Sequence, residues 1–320
     1  MPQSPPSGYY EVRETQPAKS LNSRVRAILE FDPITRRKFI RLAATAVGAA
    51  IAADSLLIEP NRPRIVRRDI ALRRWPARLE GFTIALLSDF HYDPYFSQHP
   101  LHAAIGMVNG LRPDLIVLAG DFVTLPEFHD TKEREISAAT AAEPCARLAR
   151  QMQAPQGLWS VLGNHDVLTD PYRVTSALLS QGIQVLANES TAIETNGARF
   201  WLGGVKDVLA SMPDLDSTLR RVPADEATIL LVHEPDYADY VARRAVDLQL
   251  SGHSHGGQVR IPLLGPVYLP ELGRKYVWGL YQVAGLTLYT NPGLGTLGVP
   301  VRWNCPPEIT FLTLRRAASG

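Results

Sequence analysis

Five short apolar runs in this chain each end abruptly in aspartate, histidine or asparagine, and this pattern limits the fold more than any other feature. Residues 83–88 lead into Asp89, Phe90 and His91, residues 115–119 into Gly120 and Asp121, and residues 158–162 into Gly163, Asn164, His165 and Asp166. Residues 229–232 lead into His233 and Glu234, and residues 248–250 into Ser251, Gly252, His253, Ser254 and His255. Runs this short, rich in branched residues and closed by polar or glycine positions, read as buried strands. Helix-like stretches at 99–111, 137–152, 172–181 and 237–244 lie between them. Strand, crossover helix, strand predicts parallel pairing within one sheet. The carboxyl ends of such strands share one edge, where sites form. The five ends are therefore expected to converge.

Histidine placement sharpens the expectation. The chain holds 8 histidines. His91, His165, His233, His253 and His255 sit at the strand ends, whereas His99, His102 and His129 do not. A lone histidine there would be an ordinary polar residue, but five beside Asp89, Asp121 and Asn164 form a mixed oxygen and nitrogen donor set. Without thiolate, that set suits Mn, Fe or Zn better than Cu(I) or an all-oxygen calcium site. More donors converge than one ion needs once room is kept for a substrate. Two divalent ions sharing a carboxylate explain the number.

The ordered series Asp89-x-His91, Gly120-Asp121, Gly163-Asn164-His165-Asp166, His233 and Gly252-His253-Ser254-His255 resembles the calcineurin-like metallophosphoesterase superfamily. The closing segment, from Tyr276, Trp278 and Tyr281 through Gly293, Gly295 and Pro300 to Glu308 and Ile309, is similar to its YkuE/YaeI-type branch of exported bacterial phosphoesterases. The resemblance implies one α/β (α+β) domain over residues 60–320, with the metallo-dependent phosphatase fold. That fold is a four-layer α/β/β/α sandwich of two mixed β-sheets flanked by helices. The resemblance further implies that Asp89, His91 and His255 hold one divalent ion, that Asn164, His233 and His253 hold a second, and that Asp121 bridges them. His165 would face the substrate phosphate, with Asp166 orienting its imidazole. Two positions depart from the family pattern: Asp93, after Tyr92, replaces a common glycine, and in Asn291-Pro292 the proline stands where arginine or glycine is expected. Both bear on the rim of the substrate site.

The implied activity is hydrolysis of phosphodiester or pyrophosphate bonds by a water activated between two metals, on a cell-envelope or lipid-linked substrate. Soluble nucleotide or cyclic-nucleotide phosphodiesterase and general phosphomonoesterase activities are the alternatives. A non-catalytic metal-binding scaffold is a third, disfavoured because every ligand position carries a competent residue.

Upstream, residues 1–34 are polar and proline-containing and read as a disordered lead. Residues 35–58 read as a signal or signal anchor: Arg36, Arg37, Lys38, Phe39 and Ile40 precede a weakly apolar run reaching Ala53. The paired arginines resemble the twin-arginine export signal, an address read by the translocation machinery. The run, about 12 residues, is shorter than an ordinary ~20-residue span. Cleavage near Ala50, Ile51 and Ala52, or retention of the segment to Ile58, both remain open. The expected location is the periplasm or the outer face of the cytoplasmic membrane. Arg64, Arg67, Arg68, Arg73 and Arg74 form either a solvated edge-strand face or a membrane-surface contact with anionic headgroups.

A net charge of +1, from 33 basic and 32 acidic residues, lacks the basic excess of a nucleic-acid binder. Cys145 and Cys305 fit neither a disulfide framework nor a zinc site. Gly293, Gly295 and Gly298 spell a literal G-x-G-x-x-G, but Pro300 follows and leaves no room for the helix a dinucleotide fingerprint requires. A glycine loop lining the cleft is the expected reading.

Overall fold

The computed structural model describes Met1 and residues 35–93, 97–125 and 131–318. Strands covered on both faces must be apolar throughout. The first sheet runs β1 (Arg64–Leu72), β14 (Glu308–Arg316), β2 (Thr83–Leu87), β3 (Leu115–Leu118), β4 (Leu158–Ser160) and β5 (Gln184–Val185). Here β2 to β5 pair in parallel, and β14 lies antiparallel to β2. The second sheet runs β12 (Gly279–Val283), β13 (Leu286–Thr290), β9 (Leu248–Ser251), β8 (Thr228–Leu231), β7 (Ala198–Gly204) and β6 (Glu189–Thr195). Its inner strands β13, β9, β8 and β7 are parallel and its two outer pairs antiparallel.

The single parallel sheet expected from the strand–helix alternation is thus corrected. β2, β3 and β4 belong to one sheet, and β8 and β9 to the other. The two-residue β5 closes the first sheet, and Asn188, at φ 62°, turns the chain into β6. The expected pair of mixed sheets is present.

Three apolar layers hold the sandwich. Between the sheets, Ile84, Leu86, Val117 and Leu312 meet Phe200, Leu202, Ile229 and Leu250. On the outer face of the first sheet, Ala85, Leu87 and Ile116 pack under α2 (Gln98–Leu111), α3 (Thr131–Ala149) and α5 (Pro171–Ser180), including Leu101, Ala146 and Leu178. On the outer face of the second, Leu230, Val232 and Leu288 meet α6 (Leu215–Leu219) and α7 (Ala238–Val241) through Leu215 and Val241. Burying a Leu, Ile or Phe side chain stabilises by about 1.5–3 kcal/mol. α4 (Asn164–Thr169) follows β4 directly.

Met1–Ala50 and Ile51–Gly320 are separate compact units. Apart from Met1, the lead over 1–34 lies outside the described residues. No residue of α1 (Arg36–Ala53) is buried. Helical turns continue to Asn61, so the helical run is 26 residues, against the shorter apolar run read from sequence. By length and composition it suffices to cross a membrane, a test that N-terminal signal sequences also pass. Arg64, Arg67 and Arg68 lie on the edge strand β1; Arg67 covers the Phe311 ring at 5.2 Å and Arg74 pairs with Asp247 at 2.8 Å.

Candidate metal centre

All five ligand-bearing strand ends meet where the two sheets' carboxyl edges face each other. Asp89, His91 and His255 bring ligand atoms within 4.8 Å of one another, as do Asp121, His233 and His253, and also His91, Asp121 and His165. Asp121 Oδ2 lies 3.5 Å from His91 Nε2 and 3.2 Å from His233 Nε2, so one carboxylate touches both halves. His255 Nε2 stands 3.6 Å from Asp89 Oδ1.

The backbone is bent to achieve this. Asp89, His91, Asp121, His253 and His255 all adopt positive φ, between 40° and 68°. Non-glycine residues in that region each cost about 1–3 kcal/mol and cluster at functional sites. Close approach demands glycine beside them. A Cβ on Gly252 would lie 2.5 Å from Asp89 Oδ2, and one on Gly120 would lie 2.7 Å from His233 Nδ1.

Outer partners fix which ring nitrogens face inward. His233 Nδ1 donates to the Ala119 carbonyl at 2.6 Å, and His253 Nε2 donates to the Glu271 carbonyl at 2.7 Å. His233 thereby presents Nε2, and His253 Nδ1, to Asp121; ligating histidines are held this way.

Electrostatics match a cation-binding cluster. Burial lowers His91 and His253 to about 3, and takes His255 well below the ordinary imidazole value, leaving neutral rings with free lone pairs. Burial also pushes Asp89 up to about 7. Burial works against ionised Asp121, yet His233, His165 and His91 hold its carboxyl well below the usual range. At His233 burial is outweighed by Asp121, which raises the imidazole well above its ordinary value.

The residues fit divalent ions. Asn164 Oδ1 and His233 Nε2, which face the cluster, are buried without a hydrogen-bond partner among the described residues. His91 Nε2 and His255 Nε2 face each other at 3.0 Å, where two neutral rings cannot both donate. Buried polar atoms left in this state are costly unless a ligand satisfies them.

His165 differs from the other four histidines. It is half-buried, its ring stands edge-on to His91 at 4.7 Å, and its Nδ1 accepts from the Leu125 N–H at 3.0 Å. A neutral His165 ring therefore carries its proton on Nε2. The orienting role expected of Asp166 is corrected. Its carboxylate accepts from the N–H groups of Asp121, Phe122, Val123 and Gly163, at 2.8–3.1 Å. It braces the Asp121 loop, and Leu125 sets the His165 tautomer instead.

Two supporting residues escape sequence reasoning. Asn291, which precedes the departing Pro292, accepts from Ser88 Oγ and the Gly293 N–H and donates to Thr310 Oγ1. Arg302 is fully buried and donates to the carbonyls of Pro292, Gly293, Gly295 and Cys305. It holds the glycine loop, where Leu294 and Gly295 donate to the Ser88 and Asp89 carbonyls. The G-x-G-x-x-G is thus a brace behind Asp89. Cys145 and Cys305 are both free and buried.

Comparison with known proteins agrees with this geometry. A family model described as calcineurin-like phosphoesterase matches residues 82–257. The chain is 33% identical over 292 residues to the uncharacterized metallophosphoesterase YkuE of Bacillus subtilis, covering 88% of this chain and 98% of that one. It is 31% identical over 288 residues to the phosphodiesterase YaeI of Escherichia coli, covering 88% and 99%. It is 32% identical over 302 residues to a Bos taurus transmembrane protein with metallophosphoesterase domain, covering 88% and 64%. With its clustered carboxylates and imidazoles and a match spanning most of its length, the chain belongs to the calcineurin-like metallophosphoesterases, metal-dependent hydrolases of phosphoester bonds.

Proposed function

We propose that the protein is a phosphodiesterase of the cell envelope that hydrolyses phosphodiester or pyrophosphate bonds, with a lipid-linked substrate favoured over a soluble nucleotide. The observation that carries the reading is Asp121, whose single carboxylate faces His91 on one side and His233 on the other. Asp89, His91 and His255 would hold one divalent ion, and Asn164, His233 and His253 the second, with Asp121 shared. Two such ions, when bound, supply an activated water and neutralise charge on the phosphoryl oxygens. Asn164 contributes an oxygen donor without another negative charge, which keeps the centre attractive to a phosphate anion. His165, half-buried with its Nδ1 accepting from Leu125, would offer its Nε2–H as a hydrogen-bond donor to the charge developing on the leaving oxygen.

The resemblance of Arg36-Arg37 to a twin-arginine signal favours an envelope substrate, and the relative YaeI is named a phosphodiesterase. The test is hydrolysis of bis-p-nitrophenyl phosphate against p-nitrophenyl phosphate, with Mn, Fe or Zn added to chelated protein. Metal-dependent diester turnover exceeding monoester turnover is expected. Preference for the monoester would favour a general phosphatase, and no turnover with any ion would favour a scaffold.

A further inference from the structure

The hairpin of β10 (Arg260–Ile261) and β11 (Gly265–Pro266) carries apolar side chains into solvent beside the metal centre. Leu263 is fully exposed and Leu264 81% exposed, with Ile261, Val267 and Tyr268 exposed around them. Leu263 also adopts φ 69°, a conformation that glycine or asparagine takes at lower cost, so this turn keeps leucine despite strain. No acidic residue occurs from Arg260 to Tyr268.

This patch is not isolated. A groove of about 300 Å³ runs from the hairpin to the metal centre, lined by Val267, Tyr268, Leu297, Val299 and His255. Across the 297–300 loop a second groove, about 450 Å³, is lined by Leu56, Leu57, Pro60, Leu294 and Pro300. Leu56, Leu57, Ile58 and Val299 are exposed as well.

Both margins of this face hang on one strut. At the hairpin root, the Arg260 N–H donates to the Trp303 carbonyl at 2.8 Å and Asn304 Nδ2 to the Arg260 carbonyl at 3.1 Å. On the entry segment, the Ser55 carbonyl accepts from the Arg302 N–H at 2.9 Å, and the Glu59 carboxylate accepts from the N–H groups of Asn304 and Cys305. In the chain, Leu56–Ile58 directly continue the apolar helix, and Arg62 and Arg64, both exposed, come next.

We propose that this apolar face, from Leu56–Ile58 across Val299 to the Leu263–Leu264 turn, seats on a phospholipid bilayer. Leu263 and Leu264 enter the acyl boundary, and Tyr268 sits at headgroup level as interfacial aromatics do. Exposed apolar surface continuous with a membrane-competent segment selects lipid as the occupant. The consequence rests on the phosphodiesterase reading: a diester in the headgroup layer reaches His255 laterally through the hairpin groove, without leaving the membrane.

Because Cys145 and Cys305 are buried, an environment-sensitive fluorophore can be attached selectively to Leu264→Cys in the full chain. Glu194→Cys is the reference; it is exposed on β6, toward the sheet edge away from the strand carboxyl ends. Each labelled chain is reconstituted into vesicles of phosphatidylethanolamine and phosphatidylglycerol containing spin-labelled lipid. Quenching at 264 at least about fivefold that at 194, with a blue-shifted emission, is expected for side chains at the acyl boundary. Adding Leu263→Ser and Val267→Ser should reduce it. Equal, aqueous emission at both sites would overturn the proposal. So would burial of the 264 probe in lipid-free detergent solution with a doubled particle mass, since a second copy would then cover the face. None of these readouts uses turnover, so a protein that seats on vesicles but hydrolyses no diester would overturn the phosphodiesterase reading alone.

Discussion

Adjacent residues His165 and Asp166 do different work, and substitution separates them. His165 reaches the cluster from a half-buried position, with its tautomer set by Leu125. His165→Ala should keep both ions and lose roughly 10²–10³-fold in turnover, the scale for removing one positioned donor to a developing oxyanion. The loss should shrink for diesters releasing p-nitrophenol, whose oxygen needs little stabilisation; an equal loss for good and poor leaving groups would remove the role at the leaving oxygen. Asp166→Ala should instead leave the N–H groups of Asp121, Phe122, Val123 and Gly163 without their acceptor. Orphaned buried donors cost about 1–3 kcal/mol each, so a clear fall in melting temperature is expected even where some turnover survives. An unchanged melting temperature would contradict the bracing role. Ligand types at strand ends are legible in sequence because coordination needs particular side chains. The Asp166 role is not, because three of its four partners are backbone groups of a loop more than forty positions away, which no residue type announces.

At the scale of elements, the loop from Asn291 to Cys305 stands behind the Asp89 strand end. Arg302 ties four of its carbonyls while fully buried, and Gly295 donates to the Asp89 carbonyl at 2.7 Å. Arg302→Met should retain the fold but loosen Asp89, lowering metal affinity by ~10–100-fold, the scale for residues that orient ligands. Isothermal titration with Mn or Zn reads this directly, and unchanged affinity would show the loop to be passive. The glycine spacing was visible in sequence, and so was the absence of a following helix. What it braces was not, since Arg302 acts mainly on backbone carbonyls, which no residue type announces. The apolar strands were equally plain, but their division between two sheets was hidden. That division depends on a two-residue edge strand, β5, and on one turn at Asn188. The N-terminal element has its own test: Arg36→Lys with Arg37→Lys should leave active protein retained in the cytoplasm, and normal export of the double variant would refute the twin-arginine signal.

Across the whole molecule, the two sheets exist as a clamp. Each contributes part of the candidate ligand set, so ions bound between their carboxyl edges would tie the halves together. Binding at a hundredfold excess over Kd stabilises a folded state by about 2.7 kcal/mol per site. Chelation should therefore lower the melting temperature of the holoprotein by several degrees, and added Mn or Zn should restore it. In the proposed centre, Asp121 joins two ions into one catalytic unit. Titrating metal into chelated protein, while following bound metal and bis-p-nitrophenyl phosphate turnover together, addresses it directly. Turnover should stay low until a second equivalent binds and then rise to its plateau, whereas Asp121→Asn should hold well below two ions and remain inactive. Full turnover at one equivalent, or an Asp121→Asn protein that keeps both ions and near-normal turnover, would contradict a shared centre.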